Sequence, residues 1–168
     1  MPDYDDPAVE EAWCEEQRAR VAAYLQREGM DHGRIAEWPD LHVAPFVSVW
    51  AVESKARPEW VGWWVICGDL PTDYISSADI KCPQDAVRAL AEQWLELAGY
   101  MERGEPHPDT RLGRPEDWPT LAPLLRGRAE LLLSWEGSDS TSGGRGKRHP
   151  VAEVCPEVKE GDRPTNGW

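Results

Sequence analysis

The 168-residue sequence has little positive charge, one phenylalanine and no long hydrophobic run. It carries 18 Lys and Arg against 31 Asp and Glu, which gives a formal net charge of −13. A negative surface repels phosphate, so we expect no nucleic-acid partner. The same charge favours solubility and fast encounter with basic proteins.

Short motifs that mark common metal and enzyme sites are also missing. The four cysteines, Cys14, Cys67, Cys82 and Cys155, show no CxxC spacing, so a zinc site is not expected. The sequence contains no HExxH, no GxGxxG, no GxSxG and no phosphate loop of the GxxxxGK[ST] type. We therefore expect neither metal nor cofactor, and the sequence leans against an enzyme.

No segment predicts export or membrane insertion. The start, MPDYDDPAVEEAW, has neither a basic region nor an apolar region of the kind a signal peptide needs. No apolar run approaches the length that crosses a bilayer. We expect no membrane partner, and a cytoplasmic protein with reduced thiols.

Tryptophan is the residue that stands out, at ten copies. Four of these lie in two runs rich in β-branched and aromatic residues, which predict strands over Phe46–Glu53 and Trp60–Cys67. Both alternating faces of these runs are apolar, which predicts cover on both sides of the sheet. The following DYISSADI segment can supply a short third strand.

Three segments have the signals of helices. The first begins after Asp6, which can cap it, has Pro7 at its first position and ends before Gly29. The second opens at Pro83 and carries an apolar stripe at helical spacing, and the third spans about Leu121–Trp135.

The order α-β-β-(β)-α-α predicts an α+β fold, with a small antiparallel sheet of two or three strands packed with three helices. We predict one acidic, Trp-rich domain over residues 1–135. Residues 136–168 combine Gly, Ser and charge with low hydrophobicity, which predicts a disordered tail.

The turn GDLPTDY, after the second strand, is open to two interpretations. Pro71 suits a tight turn in which Asp69 and Asp73 bind backbone N–H groups, a structural role. Alternatively, these carboxylates form a binding site with nearby aromatic residues; the predicted binding residues are Trp63, Trp64, Asp69, Asp73 and Tyr74. Asp69 and Asp73, joined by His42 from a neighbouring segment, are the candidates for acid–base work.

Three runs together, EWPDLHVAPFVSVWAVES, WVGWWVICGDLPTDYISS and CPQDAVRALAEQW, resemble a family of small Trp-rich bacterial proteins known only as a domain of unknown function. The resemblance covers about Trp13 to Gly104. It implies a bacterial, cytoplasmic protein, and it brings no activity or catalytic residue with it.

Two hypotheses from different classes follow. In the first, the protein is a non-catalytic interaction module, similar in character to immunity proteins and antitoxins, whose acidic surface binds a basic partner. Seven acids and no Lys or Arg among the first 16 residues support it. In the second, it is a small enzyme or ligand-binding protein with an aromatic and carboxylate pocket at the GDLPTDY loop.

Overall fold

A computed structural model describes residues 1–136 of the chain and confirms the predicted α+β class. Within these residues the order is α-β-β-β-β-α-α. The helices are α1 (Pro7–Arg27), α2 (Pro83–Glu102) and α3 (Trp118–Glu136), the last preceded by a 3₁₀ turn at Pro115–Asp117. The strands are β1 (Leu41–Val43), β2 (Val47–Glu53), β3 (Val61–Gly68) and β4 (Asp73–Ser76).

The four strands form one antiparallel sheet in the order β1-β2-β3-β4, so each strand pairs with its neighbour in sequence. The strand β4 is the predicted third strand. The strand β1 lies in a segment for which the sequence predicted no strand, and Leu41 pairs there with Val49 of β2. Three residues give too short an alternation to predict a strand, and pairing with a long neighbour stabilises β1 instead.

Helices cover both faces of the sheet, in agreement with the apolar character of both faces of β2 and β3. Alternate residues of these strands, such as Val49 and Ile66, face α2 and α3, and the residues between them, such as Trp50 and Val65, face α1. The sheet is therefore a buried central layer between α1 and the α2–α3 pair.

The predicted start of α1 is confirmed. The side chain of Asp6 accepts a hydrogen bond from the Ala8 backbone N–H at 2.9 Å, and Pro7 occupies the first helical position. Gly29 follows the helix with φ 66°, a left-handed conformation that glycine adopts without strain. The helix α3 begins at Trp118, three residues before the predicted start. Apart from Glu136, the predicted disordered tail lies outside the described residues.

Candidate functional site

Asp73, a predicted site residue, lies at the start of the edge strand β4 and points toward α2. One carboxylate oxygen, Oδ2, accepts a hydrogen bond from the indole N–H of Trp94 at 2.8 Å. The other, Oδ1, accepts from the Tyr74 backbone N–H, also at 2.8 Å. Burial raises the pKa of Asp73, and both donors oppose that rise by stabilising the carboxylate. Asp73 is thus held by two donors of its own fold.

Asp69, at the start of the same GDLPTDY loop, makes a different contact. Its side chain is 62% exposed, and its Oδ2 accepts a hydrogen bond from Nη2 of Arg128, on α3, at 3.0 Å. Its backbone N–H donates to the Phe46 carbonyl. The two carboxylates of the GDLPTDY loop therefore have separate partners, one on α2 and one on α3.

The aromatic residues of the predicted binding site are divided between the two faces of the sheet. Trp64 is buried against α2 and donates its indole N–H to the Ile80 carbonyl at 2.9 Å. Trp63 lies on the α1 side, where its ring meets Tyr74 edge-on at 5.6 Å between centroids. Tyr74 also packs 6.2 Å from Tyr24, whose pKa is raised by burial and then by the nearby charge of Asp73.

His42, the third candidate for acid–base work, lies on the opposite edge strand, β1. With β2 and β3 between them, β1 and β4 are about 14 Å apart at the spacing of neighbouring strands. Nε2 of His42 contacts Oε1 of Glu10, on α1, at 2.8 Å. The structure therefore does not bring His42 together with Asp69 and Asp73.

No metal centre is formed by the part of the chain that the structure describes, since it contains no group of three or more His, Cys, Asp or Glu side chains able to hold an ion. Among the same residues, no helix is long and apolar enough to cross a membrane.

Two surfaces of the described residues stand out by their composition. The first, which we call the acidic face, comprises Glu11, Glu15 and Glu16 of α1 together with Glu37 and Trp38. All five residues are exposed. Arg18, one helical turn after Glu15 on the same side of α1, donates to the carbonyls of Ile35 and Ala36, which holds the segment carrying Glu37 and Trp38 against the helix.

The second surface, which we call the leucine groove, is a cleft of about 370 Å³ beside the GDLPTDY loop. Its apolar lining comes from the loop and from the region of α3, and comprises Leu70, Pro71, Leu112, Leu121, Leu124 and Leu125. Its polar lining consists of Arg20, Asp69 and Arg128, together with Gly68. Sequence reasoning pointed to this loop and missed the leucines and arginines. The leucines of α3 were the available signal, but only the packing of α3 places them beside the loop.

The fold defines an α+β domain in which a four-stranded antiparallel sheet lies between one helix and a pair of helices. The chain belongs to the family described as Domain of unknown function (DUF4826), which matches residues 7–141. No curated protein and no solved structure matches the chain.

Proposed function

We propose that this chain is a non-catalytic interaction module of the bacterial cytoplasm that binds a basic protein through the acidic face, in the manner of immunity proteins and antitoxins. One observation carries the proposal. Glu11, Glu15 and Glu16 are exposed on α1, and within the described residues none of them makes an ion pair.

Several other acids of the described residues contact a basic side chain of the same chain. Glu10 contacts His42, Glu53 contacts Arg34, and Glu102 contacts Arg126. By contrast, Glu11 and Glu15 are four residues apart on one helix side, and like charges at that spacing destabilise a helix by about 0.2–0.5 kcal/mol. A partner that supplies Lys or Arg side chains would remove this repulsion on binding.

Trp38 gives the acidic face an aromatic residue that a partner can cover. Its side chain is 41% exposed, and its ring meets His42 edge-on at 5.6 Å. Because His42 is itself bound to Glu10, the Trp38 ring rests on a side chain fixed to α1. Exposed Trp residues are enriched among those that dominate binding energy, and charges around them govern the rate of association.

The thiols support the proposed cytoplasmic location. Cys14 and Cys67 are buried free thiols, and reduced thiols are typical of a reducing compartment.

The alternative, an enzyme or ligand site made of aromatic residues and carboxylates at the GDLPTDY loop, has less support. Asp69 and Asp73 have separate partners, Trp63 and Trp64 lie on opposite faces, and His42 is on the far strand. A site of that composition would need these groups to converge.

Partner capture with matched variants tests the proposal. Tagged protein is used to capture proteins from bacterial lysate, in parallel with an E11Q/E15Q/E16Q variant and an E92Q/E116Q/E130Q variant. Each set removes three exposed acids and the same total charge. In the proposed complex each of the three α1 carboxylates forms one exposed ion pair with the partner, which contributes about 0.5–1 kcal/mol. The E11Q/E15Q/E16Q variant alone should therefore lose about tenfold or more in affinity.

The supporting result is one stoichiometric basic protein that is released by salt, lost with the α1 variant and kept with the control variant. Equal retention by both variants would contradict a role for the acidic face. Equal loss with both would show that total charge, rather than this surface, governs the interaction.

A further inference from the structure

We propose that the leucine groove is a binding site for an aliphatic carboxylate, a small molecule with an apolar chain and one anionic end. The groove is formed by the β3–β4 loop, the region of α3 and Arg20 of α1, whereas the acidic face is formed by Glu11, Glu15 and Glu16 of α1 and by residues 35–38. The two proposals therefore rest on separate residues.

The lining of the groove limits the body of the ligand. Its six apolar side chains are five leucines and one proline, with no aromatic ring among them. A site without rings gives no stacking partner for a nucleobase or an aromatic ligand. Apart from two arginines, one aspartate and the Gly68 backbone, the lining has no polar group that could bind the hydroxyls of a sugar. An aliphatic chain is the body that this surface fits.

The volume of the groove favours a small ligand. At about 370 Å³ the groove lies in the lower range of small-molecule sites, which run from about 300 to 1,000 Å³. Leu124 in this groove is 61% exposed, and a bound chain would cover it.

The charge of the groove favours an anionic group at the other end of the ligand. Arg20 uses Nη1 to donate to the Gln17 side chain and to the Gly68 carbonyl at 3.1 Å, and Arg128 uses Nη2 to donate to Asp69. Each guanidinium has five N–H donors, so both keep donors for an anion. Two arginines against one aspartate make the groove locally positive on a chain of net charge −13, which complements a carboxylate.

Sodium octanoate is the probe, and 1-octanol, which has the same chain without the charge, is the matched ligand. Binding is followed by the shifts of ¹³C-labelled leucine methyl groups in the full chain. We expect octanoate to move the methyl resonances of Leu124 and Leu125 and to bind about tenfold more tightly than 1-octanol, because only octanoate forms charge-assisted hydrogen bonds.

Two pairs of variants locate the site. Arg128→Met should reduce octanoate affinity about tenfold and leave 1-octanol unchanged, whereas Arg57→Met, at the opposite end of the sheet, should change neither. Leu124→Asp should abolish octanoate binding through repulsion and added polarity. Leu131→Asp, at a residue 52% exposed and two turns further along α3, should leave it intact.

Leu124 and Leu131 are exposed, so both aspartate variants should fold, which the dispersion of the methyl spectrum checks. Equal affinity for octanoate and 1-octanol, or equal loss with Leu124→Asp and Leu131→Asp, would overturn the proposal. So would octanoate shifts confined to leucines outside the groove. Because these variants leave α1 unchanged, failure here does not bear on the acidic face.

Discussion

Replacing Trp94 with Phe removes one of the two donors that hold the buried carboxylate of Asp73. The lost contact is the indole N–H bond to Oδ2, at 2.8 Å. A hydrogen bond to a charged group contributes about 1.5–3 kcal/mol, against about 0.5–1.5 kcal/mol for a neutral one. At neutral pH we expect this loss in the free energy of unfolding, in addition to the loss from the smaller ring.

The loss should depend on pH, and its sign follows from the pKa of Asp73. Burial raises this pKa above the ordinary 3.8. The contribution of protonated Asp73 to the free energy of unfolding is therefore fully present below pH 3.8. It is lost as the pH rises through the higher folded-state pKa. Without the Trp94 donor the folded-state pKa rises further, so the destabilisation by Trp94→Phe should be about 1 kcal/mol smaller at about pH 3 than at pH 7.

Trp64→Phe is the matched control, since Trp64 is also buried but donates its indole N–H to a backbone carbonyl, that of Ile80. Its effect on stability should be the same at both pH values. Urea denaturation of wild type and both variants at about pH 3 and at pH 7 measures the difference. If the effect of Trp94→Phe does not change with pH, or changes no more than that of Trp64→Phe, then Asp73 is not the buried, indole-bound carboxylate described here.

Three further predictions concern the sheet and its cover. Gly68 has φ 138°, and a Cβ at this position would collide with the Phe46 carbonyl oxygen, just before β2. We therefore expect Gly68→Ala to lower the free energy of unfolding, measured by urea denaturation, by about 3 kcal/mol. A loss under about 1 kcal/mol would refute this packing. The buried Trp50 indole N–H donates to the Ser48 hydroxyl at 2.9 Å, and Ser48→Ala removes this acceptor. We expect the free energy of unfolding to fall by about 1–3 kcal/mol. In a double-mutant cycle with Trp50→Phe the two losses should be less than additive, and strict additivity would refute the contact. Burial raises the pKa of Cys14 to about 12, so peptide mapping should show iodoacetamide modification of Cys14 at pH 8 only after unfolding, and fast modification of the folded chain would contradict this.

Much of the fold is predictable from short-range signals. Asp6 and Pro7 set the start of α1, and apolar residues on both faces of β2 and β3 require cover on two sides. The strand β1 carries no such signal, because three residues are stabilised mainly by pairing with β2. Its existence depends on contacts that local sequence does not reveal.

The candidate site is less predictable, because its geometry depends on which elements become neighbours. Asp73 and His42 lie on opposite edges only because the strands follow the order β1-β2-β3-β4. Asp69 meets Arg128, 59 residues away, only because α3 packs beside the β3–β4 loop. Sequence reasoning identified the loop and the acidic first helix, whereas the partner of each side chain required the structure.

The salt dependence of association tests the central claim, the acidic face, most directly. The association rate of the captured basic protein is measured by stopped flow at several ionic strengths, for wild type, E11Q/E15Q/E16Q and E92Q/E116Q/E130Q. Steering by local charge predicts a steep fall of the rate with salt for wild type and the control variant, and a clearly shallower one for the α1 variant. The same slope for all three proteins would contradict binding through the acidic face.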